Sequence, residues 1–158
     1  MRFIQVLIIV SILFASAVIW PHESRAKEIY YSITYPELKE ILSVLGYRPE
    51  VKPYKKSQVV IWMAQGNRLL AMFDGEETVF SVACVLFTGG YQSPLEKANK
   101  WNKEKRLSTA FWTEKDKSFT LEYSMDLESG ISEKTIKHVI LDFTSILELF
   151  KSYLNIGQ

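Results

Sequence analysis

One cysteine and two histidines among 158 residues leave little of the equipment from which catalytic and metal sites are usually built. A lone cysteine, Cys84, excludes an internal disulfide, so the fold must rest on packing even in an oxidising compartment. It lies in the apolar run VFSVACVLF, where a small buried thiol is the expected state. Charge bias is missing as well: 19 basic and 18 acidic side chains give a formal charge of +1, too little for a nucleic-acid arm or a disordered tail. Phosphate-cradling motifs are absent; Gly89-Gly90 precedes a helix start but reads as a turn. There is no internal repeat, low-complexity stretch or linker. What the chain has in quantity is apolar surface, 47% hydrophobic and 13% aromatic, enough for one domain with a real core.

The N-terminus follows the three-part grammar of a secretory signal peptide. Met1-Arg2 is a short positive start, Phe3 to Ile19 is nearly all apolar, and Pro21 breaks the run. Ser24-Arg25-Ala26 then places small residues at the minus-three and minus-one positions of a cut after Ala26. The competing reading is an uncleaved anchor, although the run is short of the ~20 residues a membrane span usually takes. Residues 1–26 are therefore expected to be a signal peptide and 27–158 a single domain, exported and most simply periplasmic. The cut removes Arg2, Arg25 and Glu23 and brings the formal charge of the remainder to zero. A membrane is expected to matter only through the signal segment, and only if that segment is kept. A lipid anchor is excluded, because no cysteine follows the apolar run.

Along the mature chain, SITYPELKEILSVLGY carries dense helix signals. Thr34 and Glu37 form a capping box, Pro36 sits in the first turn, Ile33 and Leu38 make a hydrophobic staple, and Gly46 ends the helix. Three strands follow: SQVVIWMA, RLLAMFD and ETVFSVACVLFTG, the first two joined by a tight turn at Gln65-Gly66-Asn67. The first two are apolar on both faces, with Val59, Ile61 and Met63 on one side and Val60, Trp62 and Ala64 on the other. An antiparallel sheet with one wet face normally alternates, so helices cover both sides or one face contacts another chain. Ser93-Pro94-Leu95-Glu96 predicts a second capped helix running to about Glu104. RLSTAFWT and SFTLEYSMD are the next strands, the latter with Phe119, Leu121, Tyr123 and Met125 inward. After Gly130 a long final helix, capped by Ser132, keeps one face apolar from Ile136 to Phe150. The expected fold is α+β, in the order α-β-β-β-α-β-β-α, with a five-stranded, largely antiparallel sheet.

Chemistry is hard to find in this pattern. His22 falls in the segment expected to be cut away, and His138 has no partners at zinc-ligand spacing and no nucleophile motif beside it. Glu122, Asp126 and Glu128 form one acidic cluster, but Glu122 and Asp126 fall on the outward face of an alternating strand and read as a solvated edge. No catalytic residue, metal site or cofactor is expected. The stretch SPLEKANKWNKEKRLSTAFW poses a different question, since its two asparagines flank a tryptophan near a helix end. Asn102 is expected to bond the orphan carbonyls or the turn near Lys105-Arg106, and Asn99 to tie the helix to a neighbouring strand or loop. The alternative is a recognition platform of two amides and an indole. Trp62, Asn99, Trp101, Asn102 and Trp112 are accordingly the candidate partner-binding residues, with the tryptophans equally able to be core.

The segments ANKWN, RLSTAFW and LEYSMDLESGIS, in that order and followed by a long helix, resemble the YbjN-type family of bacterial proteins. The family pattern is an N-x-W-N helix end, an R-x-x-x-A-aromatic strand, a strand ending L-E-x-x-x-D-L and a G-[IV]-S helix start. The likeness spans roughly residues 34–154 and extends to the Leu-Gly-Tyr ending at Tyr47 and the element around Cys84. It implies a fold like that of type III secretion chaperones, which are usually dimers that bind protein segments, and a label as sensory-transduction regulators. The export signal is a departure from many relatives. Together these readings predict an exported, non-catalytic protein-binding module that is chaperone-like or regulatory and acts through an apolar surface. Its partner is a protein, with a homodimer one arrangement, and not a nucleic acid. The alternative is a periplasmic sensor that binds a small ligand among its aromatics.

Overall fold

The computed structural model describes residues 29–55, 57–74 and 77–156. The segment read as a signal peptide lies outside them. The described residues open with strand β1 (Ile29–Tyr30) and helix α1 (Tyr35–Val44). The capping box forms as the sequence predicts: the Thr34 N–H donates to Glu37 Oε2 at 2.8 Å, and the Glu37 N–H reaches Thr34 Oγ1 at 3.4 Å. At the other end Gly46, at φ +86°, turns the chain left-handed. Its N–H then bonds Ser43 O while that of Tyr47 bonds Leu42 O, which satisfies two of the helix's last carbonyls.

Four strands follow, β2 (Glu50–Tyr54), β3 (Ser57–Ala64), β4 (Asn67–Phe73) and β5 (Val79–Phe87). Helix α2 (Pro94–Glu104), strands β6 (Thr109–Thr113), β7 (Ser118–Asp126) and β8 (Ile131–Ser132), and helix α3 (Glu133–Tyr153) complete the chain. The main sheet has six strands in the order β2-β3-β4-β5-β7-β6, every neighbouring pair antiparallel. The α+β class and antiparallel sheet are as expected, but the five-stranded sheet and the simple element order are not. The extra main-sheet strand is EVKPY, which Pro53 disguises. Proline cannot donate to a ladder, and it is tolerated here because β2 is an edge strand. The remaining two strands form a short antiparallel ribbon, β1 with β8, too brief for any periodicity to announce.

Local chemistry explains the other junctions. Gln65 and Gly66, at φ +48° and +76°, form the two-residue turn between β3 and β4. Ser93 sits where the second helix cap was expected, yet it adopts φ +52° and its side chain caps nothing. Proline in the first turn still starts α2 at the predicted place. Ser132 does cap α3, its hydroxyl accepting from the Thr135 N–H at 3.1 Å.

All three helices contribute to a single core. Leu38, Ile41 and Leu42 of α1, Ala98 and Trp101 of α2, and Ile136, Ile140, Phe143, Leu147 and Phe150 of α3 pack together there. They meet the inward strand residues Val60, Trp62, Leu69, Ala71, Phe80, Val82, Cys84, Phe119 and Leu121. None of the outward residues of β3, β4 and β5 (Val59, Ile61, Met63, Leu70, Met72, Ala83 and Val85) joins this cluster. The double-sided apolar strands thus have helices on one side only among the described residues. Among the described residues, no helix is long and apolar enough to cross a membrane.

Candidate functional site

The residues singled out from sequence fall into two environments. Trp62 and Trp101 are core side chains, each 1% exposed. The Trp101 indole donates to Ser108 Oγ at 3.1 Å and its ring lies edge-on to Phe150, with centroids 4.7 Å apart. Trp62, tilted beside Tyr47, has no hydrogen-bond partner for its indole N–H among the described residues. Trp112 is half-buried, packs against Phe119 and donates to Glu114 Oε2 at 2.7 Å.

Asn102 answers the question posed by the asparagines, although not at the turn where its bond was expected. Its Oδ1 accepts from the Ala110 N–H at 2.7 Å and its Nδ2 donates to the Ala110 carbonyl at 3.0 Å. The amide therefore stands in for a neighbouring strand at the free edge of β6, because a carboxamide offers the same donor and acceptor as a peptide group. Asn99 is solvent-exposed, and no side-chain hydrogen bond ties it to a strand or loop among the described residues. The five residues do not assemble into one surface: two are in the core, one finishes an edge, one is half-buried and one faces water.

The other candidate groups offer no catalytic arrangement. His138 is exposed on α3, and no cluster of three or more histidine, cysteine or acidic side chains among the described residues could hold a metal. The Cys84 thiol is pushed up to about 11, chiefly by burial, with Lys151 acting against the rise and Glu148 adding to it. Such a thiol stays protonated near neutrality and is a poor nucleophile.

The feature the molecule does present is the uncovered sheet face. Across its middle the register runs Glu50, Ile61, Leu70, Ala83, Glu122 and Thr109, from one edge to the other. The β6–β7 end is polar: Ser81 and Ser124 share a hydrogen bond of 2.7 Å, and the Ser124 hydroxyl donates to Glu122 Oε1 at 2.9 Å. The β2–β5 end is apolar and hollowed into a groove of about 440 Å³ lined by Tyr54, Val59, Ile61, Leu70, Met72, Val85 and Phe87, with Arg68 as its one charged group. Val59 and Ala83, 3% and 1% exposed, belong to this face and are shielded without joining the helix-covered core. Around the groove, Met63 and Phe87 stay 55% and 76% exposed, and at the far edge Leu107 and Phe111 line a second depression of about 270 Å³.

Sequence reasoning missed most of this lining. The double-sided apolar pattern of β3 and β4 pointed to a bare face or a doubly covered sheet, but β2 was not recognised. Tyr54 therefore had no place on that surface, and Arg68, at the head of the RLLAMFD strand, was not assigned to either face.

Both free edges of the sheet are blunted, β6 by Asn102 and β2 by Pro53, which removes a donor from the row a further strand would pair with. A search of curated proteins finds no match to this chain. The model of one family does match, over residues 35–155, from the start of α1 to just beyond α3. Its description reads "Putative bacterial sensory transduction regulator", and on that match the chain belongs to the YbjN family.

Proposed function

We propose that this YbjN-family chain is an exported, non-catalytic regulatory module that works by binding protein, with the uncovered sheet face as its contact surface. The observation that carries the reading is the one-sided placement of the helices. They leave Tyr54, Met63, Phe87, Leu107 and Phe111 exposed on a single face, where large apolar side chains lose most by staying in water. Exposed aromatic and methionine side chains around a well-packed centre are the composition expected of a contact surface. Export rests on the apolar run and Ser-x-Ala site of residues 1–26. The absence of catalysis rests on the protonated, buried Cys84 and the unaccompanied His138.

The test is a paired comparison. Lysines at Met63 and Phe111 should abolish capture of the partner, or self-association, while leaving the melting temperature near that of wild type. Equivalent lysines at Leu141 and Leu149, exposed on α3, should leave binding intact. Equal loss from both pairs would overturn the assignment of the face.

A further inference from the structure

We propose that the apolar groove on the open face is a binding site for an anionic single-chain amphiphile. The aliphatic chain lies along Val59, Ile61, Leu70, Met72 and Val85, and its carboxylate is received by Arg68. This inference goes beyond the protein-binding reading and does not require it.

Three observations support it. The first is the lining: about 440 Å³ bounded by aliphatic and aromatic side chains and a single charged one, within the size range of pockets that hold small ligands. The second is the state of that charge. Arg68 makes no direct ion pair among the described residues: Glu50, on the neighbouring edge, is bonded by Lys52 at 2.7 Å and feels the Arg68 charge only as a weaker, more distant influence. Arg68 also borders a smaller hollow with Arg48, Lys52 and Glu50, and three cations against one carboxylate leave the end of the groove net basic. A guanidinium beside an apolar channel, with no carboxylate directly paired to it, is complementary to an acid carried on a hydrocarbon chain.

The third observation bears on what kind of ligand fits. The floor of the groove is the face of a ladder whose backbone N–H and C=O groups already pair within the sheet. An extended peptide laid there would bury its own amides with nothing to bond, at a cost its apolar side chains must first offset. Strand addition at the edges is obstructed by Pro53 and by the Asn102 amide on β6. An alkyl chain has no such groups to satisfy, and its only polar end meets the one charged side chain in the lining.

The experiment uses the chain as the cell processes it, titrated calorimetrically with dodecanoate and with dodecylammonium, both below their micelle concentrations. Dodecanoate should bind saturably at one site and about tenfold or more tightly than the cation, the usual scale for one charge-assisted contact. Arg68→Gln should lose most of that preference and Arg68→Lys should keep much of it, with unchanged melting temperatures showing that both variants fold. In methyl spectra the Met72 signal should shift on binding while that of Met125, in the core, stays put. Failure of dodecanoate to bind, equal binding of the two amphiphiles, or indifference to Arg68→Gln each overturns the proposal. A sample that binds neither amphiphile and sediments as a dimer assigns the groove to a second copy, and that result also overturns it.

Discussion

Asn102 is one side chain doing the work of a strand. Both of its amide hydrogen bonds go to the Ala110 backbone, so truncation leaves a peptide N–H and C=O of β6 without partners. Asn102→Ala should cost about 1–3 kcal/mol, on the scale of unsatisfied polar groups. That corresponds to a fall of several degrees in the melting temperature of a domain this size. Hydrogen exchange at the Ala110 amide should accelerate in the same variant, a local readout that a general loss of packing would not single out. Cys84 offers a pH test. Its folded-state value is raised from 9.0 to about 11, so the folded protein holds this proton more tightly than the unfolded chain does. The resulting stabilisation is complete below pH 9 and drains away as the pH rises toward 11. Urea midpoints should therefore fall between pH 9 and 10 in wild type and fall less steeply in Cys84→Ala. Tyr30, raised by burial and by Glu133 to about 12, adds its own loss only above pH 10.

Among the elements, legibility followed the strength of local chemistry. Helix α1 was readable because capping box, proline, staple and glycine all point to the same boundaries, and α3 because its apolar stripe runs through about five turns. β7 was readable from clean alternation. β2 was not, because Pro53 argues against a strand unless the strand is known to be an edge, and edge position is a tertiary fact. The β1–β8 ribbon was invisible for a related reason: two-residue strands carry no period, and their partners are about a hundred residues apart. The ribbon is an antiparallel pair, and beside it Gly130, at φ +82°, leaves so little room that a Cβ would stand 2.8 Å from Tyr31 Cε1. Gly130→Ala combines left-handed strain with that clash. It should destabilise the domain by about 1–2 kcal/mol, with faster exchange at the amides of β1 and β8 before the main sheet is affected. The candidate site was only half legible: a bare apolar face could be anticipated from β3 and β4. Which strand closed it, and that Arg68 stood in it, depended on the pairing of the whole sheet.

At the scale of the molecule, the central feature is asymmetry between the two sheet faces. Among the described residues, one carries the three helices and every large, fully buried side chain; the other carries a groove, a ring of exposed apolar side chains and a polar margin at β6–β7. Because Met63 and Phe111 are exposed, charged replacements there should shift stability by less than about 1 kcal/mol. Their effect on binding should be far larger, about tenfold or more, if they are anchors of the contact. Stability and binding thus separate at this face, whereas substitution of Trp62 or Trp101 would damage both. The most direct measurement is site-specific photo-cross-linking in living cells, with the reactive group at Met63 in one strain and at Leu141 on α3 in another. The account predicts discrete adducts from Met63 and none from Leu141, and adducts from Leu141 alone would contradict it.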